Sequence, residues 1–483
     1  MRRINIRISA GILLILIIAI CTVAYLKRHD DEQSNKSPQK QLTIKQMKEK
    51  EIILKTQNHL NQAYPYNQNQ TAGRKTYFGV GRGYNLIMVQ FESIQNFVVN
   101  SSIQGQEVTP VMNKLAAESL YFPYIFQQIG IGNTSDAEFI SNTSIYPIGS
   151  NPMSSKFGNR KLSSMARLMK TKNYTTSTFH VNDVSYWDRD QLYPALGFDT
   201  YYDRPYFQQE KFNKFGASDE ELYRVGVSKL KTLSTQRKKF YSQFVTVSSH
   251  SPFVIPKDRR RLQLPQKLSD SRLENYLVAI NYADYALGTF IDGLKKEGLW
   301  DKSVFIVYGD HFGLHKKYHD PKEINEALGI PYHKQISTFN VPVIIHLPKQ
   351  LSGKVINRTG GQVDILPTLA NIMGIDLKSE GFTAFGHDLL NVGHNIVGMR
   401  YYLPTGSFFN DEILFVPGKE GFRDGAATSI KTLKSVKDIT PYKFEYDYIM
   451  QWMKLSDRYV KQLPIRQDMK EMEPQKQTNP PLK

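Results

Sequence analysis

Two apolar runs in this chain end in residues that can bind a cation. The stretch "LIMVQFES" delivers Glu92, and "VFIVYGDH" delivers Asp310 and His311. A buried strand gains no stability from ending in a carboxylate, because an unpaired buried charge is costly. One such ending is equally well a solvated loop residue. Two endings in one sheet, one of them an Asp-His pair, point to a divalent metal with oxygen and imidazole ligands.

A third stretch, "QIGIGNTSDAEFI" at residues 128–140, fits beside them. Gly130 and Gly132 allow a tight turn that would present Thr134. Threonine alone is a weak nucleophile, and coordination to a metal would lower the pKa of its hydroxyl. The same cation would stabilise charge on a transferred phosphoryl oxygen. The plainer reading is a helix N-terminus, with Thr134 or Ser135 capping and Asp136 and Glu138 in the first turn. The two readings are compatible, since a helix N-terminus also favours a bound phosphate.

Such residues need a rigid frame. "YNLIMVQFES", "YTTSTFHV", "SVFIVYGDH" and "VPVIIHLP" read as strands. "VTPVMNKLAAES" reads as a helix with Thr109 as N-cap and Pro110 in the first turn. "RLENYLVAINYADYALGTFIDGLKKEGL" reads as a long helix, and "VDILPTLANIMG" as one closed by Gly374. Alternating strands and helices predict an α/β fold, a mainly parallel central sheet with helices on both faces. In such sheets chemistry sits at the carboxyl ends of the strands.

The surroundings follow from composition. A hydrophobic fraction of 40% over 483 residues suits a packed core and excludes a disordered chain. The net charge of +17 directs the protein to nucleic acid, a membrane surface or a polyanion. Ile8–Leu26 is apolar and uncharged, with Arg2, Arg3 and Arg7 before it and Lys27 and Arg28 after. That is long enough to cross a bilayer, and the flanks place the N-terminus inside and the rest outside. A cleaved signal peptide is the competing reading, but the run is long for one and no small-x-small site comes after it. Bulky Ile20 argues against a lipid anchor at Cys21. Outside a membrane the nucleic-acid reading falls away. The basic charge then attracts anionic headgroups, at about 1 kcal/mol per residue near the surface. Cys21 is the only cysteine, so the outer region has no disulfides and no thiolate chemistry.

Several segments, in order, resemble the extracellular catalytic domain of the lipoteichoic acid synthases, phosphoglycerol transferases of the sulfatase and alkaline phosphatase superfamily. They are "YFGVGRGYNLIMVQFESIQNF", "GNTSDAEF", "FHVNDVSYWDRDQ", "SSHSPF", "YGDHFG", "GQVDILPTLANIMGID" and "TGSFFNDEILF", spread from about Tyr77 to Leu463. The resemblance implies Thr134 as nucleophile and Glu92, Thr134, Asp310 and His311 as ligands of one divalent metal ion, manganese, with magnesium as the alternative. It implies a phosphoglycerol pocket lined by His180, Trp187, Arg189 and His250. Arg189 offers a planar fork for phosphate oxygens, and His250 can donate a proton near neutral pH. The implied partners are phosphatidylglycerol, a lipid-linked or polymer acceptor, the membrane and anionic teichoic polymers. The chain departs from the family at Asn133, at Val181 and in "LHKKYHD", where His315 and His319 read as surface residues or a second, weaker metal site.

The implied organisation is a cytoplasmic 1–7, a transmembrane anchor 8–26, and an extracellular linker with a juxtamembrane helix over 27–76. A catalytic domain 77–440 comes next, then a C-terminal helical segment and disordered tail 441–483. The juxtamembrane helix, residues 41–63, carries Leu42, Ile44, Met47, Ile52, Ile53 and Leu60 as a loose stripe. The expected location is the cell membrane of a Gram-positive bacterium, single-pass, with the catalytic domain outside. A phosphodiesterase of the same fold, with water as acceptor, is the alternative enzyme. A non-catalytic protein that binds anionic polymer is the alternative from another class. A formylglycine sulfatase needs a C/S-x-P-x-R setting, which "NTSDAEF" does not supply.

Overall fold

Asn85–Phe91, "NLIMVQF", forms a strand with all seven residues buried. A strand apolar at nearly every position has no face for water and belongs inside a sheet covered on both sides. In chain order the strands are β1 (Asn85–Phe91), the small hairpin β2 (Ser102–Ile103) and β3 (Gln106–Glu107), β4 (Leu120–Phe126), β5 (Thr175–His180), β6 (Thr200–Tyr202), β7 (Phe240–Val245), β8 (Ser303–Gly309), β9 (Asn340–His346), β10 (Lys354–Val355) and β11 (Gly360–Gly361). The main sheet has nine strands in the order β10-β4-β9-β8-β1-β7-β5-β6, with β11 also paired to β4. β1 sits between β7 and β8, parallel to both. The sheet is mixed: β9 runs antiparallel to β4 and to β8, and every other pairing is parallel.

The computed structural model describes residues 38–63, 75–210, 212–315, 320–350 and 352–466. The chain divides into two units, Met1–Asn58 and His59–Lys483. Most of helix α1 (Pro38–Ala63) falls in the first. Of its expected stripe, Ile44, Met47 and Ile52 are exposed, whereas Ile53 and Leu60 are buried. The apolar run Ile8–Leu26, where the membrane anchor is expected, lies outside the described residues, as do most of the tail and His319. Among the described residues no helix is long and apolar enough to cross a membrane.

The second unit carries the helices α2 (Pro110–Glu118), α3 (Thr134–Thr143), α4 (Arg189–Leu196), α5 (Asp219–Thr235), α6 (Arg272–Lys296) and α7 (Ile365–Ile372). The long helix starts as its sequence demands. Ser271 caps it by accepting from Glu274 N–H, and Lys295 and Lys296 occupy the last turn, where they oppose the helix dipole. Thr109 takes the N-cap position, as expected, but its side chain makes no capping hydrogen bond. Its hydroxyl donates to Val98 O instead, and the buried carboxylate of Asp284 accepts from Val111 and Met112 N–H. A distant acid thus satisfies the first turn of α2, which no local pattern reveals. Gly374 closes the segment after α7 with φ +72°, as expected.

A second sheet comes after the first, antiparallel throughout: β12 (Ile396–Met399), β13 (Ser407–Asn410), β14 (Ile413–Gly418), β15 (Gly421–Ser429) and β16 (Ser435–Val436). Phe126 of β4 stacks on Phe409 of β13 with ring centres 3.6 Å apart. Helix α8 (Lys443–Gln462) lays Tyr448, Ile449, Trp452, Met453 and Tyr459 inward, the three-and-four spacing of a buried helix face. Trp452 Nε1 donates to Phe385 O at 2.8 Å.

Candidate active site

Strands β1 and β8 are neighbours in register, with Phe91 opposite Gly309. Their next residues, Glu92 and Asp310, therefore emerge side by side at the carboxyl edge. Glu92 is 1% exposed and Asp310 0%. With His311 they form the one group of three acid, imidazole or thiol side chains, among the described residues, whose ligand atoms all lie within 4.8 Å of one another. His311 Nε2 is 3.6 Å from Glu92 Oε1 and 3.4 Å from Asp310 Oδ2.

The three are held by backbone groups. Asp310 Oδ1 accepts from Ser93 N–H at 2.7 Å and from His311 N–H at 2.6 Å. Ser93 Oγ donates to Glu92 Oε1 at 2.6 Å. His311 Nδ1 is 3.0 Å from Phe312 O, which orients the ring with Nε2 toward the two acids. Asp310 Oδ2 is buried without a hydrogen-bond partner. An orphaned carboxylate oxygen costs free energy unless a cation meets it. Burial opposes Glu92's charge, but the His250 and His311 imidazoles and the Ser93 hydroxyl hold its carboxyl below the usual range. Burial and the adjacent Glu92 charge push Asp310 well above its own. Two acids this close cannot both ionise without a positive partner. The donor set of two carboxylates and one imidazole fits a divalent cation.

Thr134 meets this cluster from α3. Its Oγ1 lies 3.3 Å from Glu92 Oε2 and 3.4 Å from His311 Nε2. Thr134 is the first residue of α3, and the capping position falls on Asn133. The turn needs its glycines, but for space. A Cβ on Gly132 would sit 2.4 Å from Asp136 Oδ1, and one on Gly130 would sit 2.6 Å from Gly149 Cα. The left-handed residue is Asn133, at φ +42°, held by Tyr402 Oη donating to its Oδ1 at 2.7 Å.

The acids in the motif have separate tasks. Asp136 Oδ2 accepts from Gly130 and Gly132 N–H at 2.9 and 3.1 Å, and its Oδ1 from Met153 N–H. Burial still pushes its carboxyl up to about 6, against those hydrogen bonds. Glu138 faces Arg189. Arg189 Nε and Nη2 each lie 2.7 Å from Glu138 Oε1, and Tyr193 Oη donates to Oε2 at 2.9 Å.

Arg189 is thus part committed. Its Nε and Nη2 serve Glu138, and Nη1 donates to Tyr186 O at 3.1 Å. One N–H on each terminal nitrogen is left for a ligand. His180 Nδ1 is 2.9 Å from Val245 O. Burial, then the Arg189 charge, lowers its pKa to about 3. It is a neutral ring with an acceptor at Nε2. His250 Nδ1 is 2.7 Å from Ser251 O, which leaves Nε2 for proton transfer. Trp187 is half-buried with φ +63°, edge-on to Tyr186 at 5.7 Å. His315 is half-buried, its ring 5.0 Å from Phe312.

Sequence reasoning missed Gln90. Its Nε2 donates to Thr134 O at 2.9 Å, pinning α3 to β1. The signal was a polar residue in an apolar strand, two positions before Glu92 and so on the same face.

The comparisons agree with this frame. Residues 84–375, more than half of the chain, match the sulfatase family. The chain is 31% identical to lipoteichoic acid synthase 2 of Bacillus subtilis over 401 residues, 81% of this chain and 59% of that protein. It is 32% identical to the lipoteichoic acid synthase of Staphylococcus aureus over 359 residues, 73% and 54% of the two. It therefore spans somewhat over half the length of these curated relatives. The crystal structure of the lipoteichoic acid synthase LtaP from Listeria monocytogenes superposes with a TM-score of 0.78 at 36% identity, covering 85% of this chain and 99% of that one. An alkaline phosphatase superfamily protein from Vibrio parahaemolyticus shares the fold, with a TM-score of 0.62 at 21% identity, over 81% and 94% of the two chains. By this match, and by a site built at the carboxyl edge of the shared sheet, the chain belongs to the sulfatase family, where it is similar to the lipoteichoic acid synthases.

Proposed function

We propose that the protein is a membrane-anchored extracellular phosphoglycerol transferase. It takes glycerol phosphate from phosphatidylglycerol, holds it on Thr134, and passes it to a glycolipid or polyglycerolphosphate acceptor of lipoteichoic acid. The observation that carries this reading is Thr134 Oγ1 beside Glu92 and His311, with the orphaned Asp310 Oδ2 in the same cluster. Glu92, Asp310, His311 and the Thr134 hydroxyl would hold one divalent cation, manganese or magnesium. Its positive charge makes a hydroxyl more nucleophilic and offsets charge on phosphoryl oxygens.

The side chains divide the remaining work. Thr134 Oγ forms a bond to phosphorus as the bond to the diacylglycerol oxygen breaks, and the proton lost by Thr134 balances the one diacylglycerol gains. His250, through Nε2, moves that proton. The two spare N–H groups of Arg189 hold phosphate oxygens. Neutral His180, with an acceptor at Nε2, suits a glycerol hydroxyl better than a phosphate oxygen. An acceptor hydroxyl then attacks the same phosphorus and frees Thr134.

The test uses phosphatidylglycerol labelled in its glycerol phosphate, with manganese and a glycolipid acceptor. The expected products are diacylglycerol and a labelled acceptor. Free labelled glycerol phosphate alone would show a hydrolase. Thr134→Ala should lose at least about a thousandfold in turnover, and a trapped adduct should map to the peptide containing Thr134. An adduct on Ser135 would overturn the assignment.

A further inference from the structure

Four large apolar side chains are exposed on segments that also carry site residues or pack against them: Ile131 at 39% exposure, Tyr186 at 48%, Val254 at 58% and Tyr401 at 45%. Ile131 precedes Thr134 by three residues, and its N–H donates to Gly149 O at 3.0 Å. Tyr401 lies over the same glycine, where an added Cβ would be 3.3 Å from the Tyr401 Cβ. Its neighbour Tyr402 holds Asn133. The Tyr186 carbonyl accepts from Arg189, and Val254 comes four residues after His250.

Single exposed apolar residues are ordinary. Here three residues on or beside the same segments have a strained backbone. Phe253, Trp187 and Tyr401 have φ of +67°, +63° and +73°, a left-handed conformation that costs a non-glycine residue on the order of 1–3 kcal/mol. Phe253 is turned inward, 1% exposed, packed edge-on against Tyr276 with the Arg272 guanidinium 5.0 Å above its ring. That turn throws Val254 outward. The same loop then carries Lys257, Arg259, Arg260 and Arg261, all exposed. Arg259 is paired with Glu220 at 2.8 Å and lies 3.8 Å from Asp258, and the other three have no ion-pair partner among the described residues.

We propose that these loops seat the catalytic mouth directly on an anionic lipid bilayer, with Val254, Ile131, Tyr186 and Tyr401 entering the headgroup layer and the basic run 257–261 meeting lipid phosphates. Apolar and aromatic tips from separate loops, backed by cations, match the chemistry of a membrane interface. The inference rests on the reading that the donor is a membrane lipid, and it explains how a headgroup reaches Thr134 without leaving the bilayer.

The test keeps the full chain, with Cys21→Ser, reconstituted in vesicles of equal parts phosphatidylcholine and phosphatidylglycerol. An environment-sensitive fluorophore is placed on a cysteine introduced by Val254→Cys or, at the opposite edge of the sheet, by Lys239→Cys. Lipid carrying a nitroxide on its upper acyl chain should quench the first several-fold more than the second, and high salt should weaken the difference. Equal quenching at the two positions overturns the proposal, whether or not the site turns over lipid. The double variant Val254→Ser, Ile131→Ser should raise KM for vesicle phosphatidylglycerol roughly tenfold and leave KM for a water-soluble glycerophosphodiester unchanged. An equal rise for both substrates also overturns it. Turnover of neither substrate by the unaltered protein would instead sink the phosphotransfer reading and leave quenching to decide the seating.

Discussion

Replacing Glu138 by Gln isolates what this buried acid contributes. Gln has the same shape and keeps an oxygen for Arg189 Nε and Nη2, both now 2.7 Å from Glu138 Oε1. It cannot carry the charge. The two side chains are 1% and 0% exposed, so the guanidinium would stay in a poorly solvated site without its contact counter-ion. Breaking a buried pair by removing one partner costs about 3–5 kcal/mol. Because the hydrogen bonds survive in Gln, the lower end applies, about 3 kcal/mol. Arg189→Met removes the other partner of the same buried pair and should also cost about 3 kcal/mol. The double variant removes both charges, and its cost should fall short of the sum by about 2 kcal/mol. Urea unfolding of the four proteins gives that coupling directly. A coupling below about 0.5 kcal/mol, the noise of independent sites, would refute the claim that Glu138 neutralises Arg189. Activity supplies a second reading. Glu138→Gln keeps the two spare N–H groups, whereas Arg189→Met removes them, so only the latter should lower kcat/KM steeply.

Manganese at a hundredfold excess over its Kd should stabilise the unaltered protein by about 2.7 kcal/mol, and chelation should reverse this. Asp310→Asn should abolish that shift in scanning calorimetry while leaving the metal-free protein at least as stable, since it removes repulsion with Glu92; an undiminished shift would take Asp310 out of the ligand set. Gly132→Ala should cost about 1–3 kcal/mol by overpacking and impair turnover, because the new Cβ collides with the Asp136 carboxylate that ties the turn; an unchanged unfolding midpoint would refute this. His394 sits between Asp411 and Glu445, with Arg358 on the same Asp411. Burial opposes its charge, but the two carboxylates raise its pKa to about 9. A raised folded pKa gives stability that is complete below about 6.5 and lost as pH rises through 9. The loss should be roughly 2 kcal/mol after allowing for solvent screening, and His394→Gln should flatten that part of the unfolding profile.

The frame and the Glu92, Asp310 and His311 cluster were legible because each came from a local pattern. "LIMVQF" and "VFIVYG" can only be buried strands, and the residue after a buried parallel strand in an α/β sheet lies at its carboxyl edge. The features that stayed hidden depended on contacts distant in sequence. β9 reads like its parallel neighbours because it is as buried as they are, so its reversed direction leaves no trace in composition. Asp284 caps α2 across 173 residues. Glu138 reads as a first-turn acid at the start of a helix, and only the arrival of Arg189 from 51 residues away gives it a different task. The second sheet was missed for another reason. β12, β13 and β16 are at most four residues long, too short to set up a clear alternation.

The motif "NTSD" offers two adjacent hydroxyls, and packing separates them. Ser135 Oγ donates to Gly132 O at 3.0 Å and lies 3.2 Å from Ser154 Oγ, with the residue 0% exposed. Its hydroxyl is consumed in closing the turn. Successive residues in the first turn of a helix point about 100° apart, so the turn that buries Ser135 aims Thr134 at the strand edge. There Gln90 fixes its carbonyl, and Asn133 supplies a capping position with no side-chain bond to the helix. The hydroxyl that meets Glu92 and His311 is therefore the one the helix does not use. That division of labour is set by Asp136, which draws Gly130, Gly132 and Met153 N–H onto one carboxylate and fixes the turn before any ligand arrives.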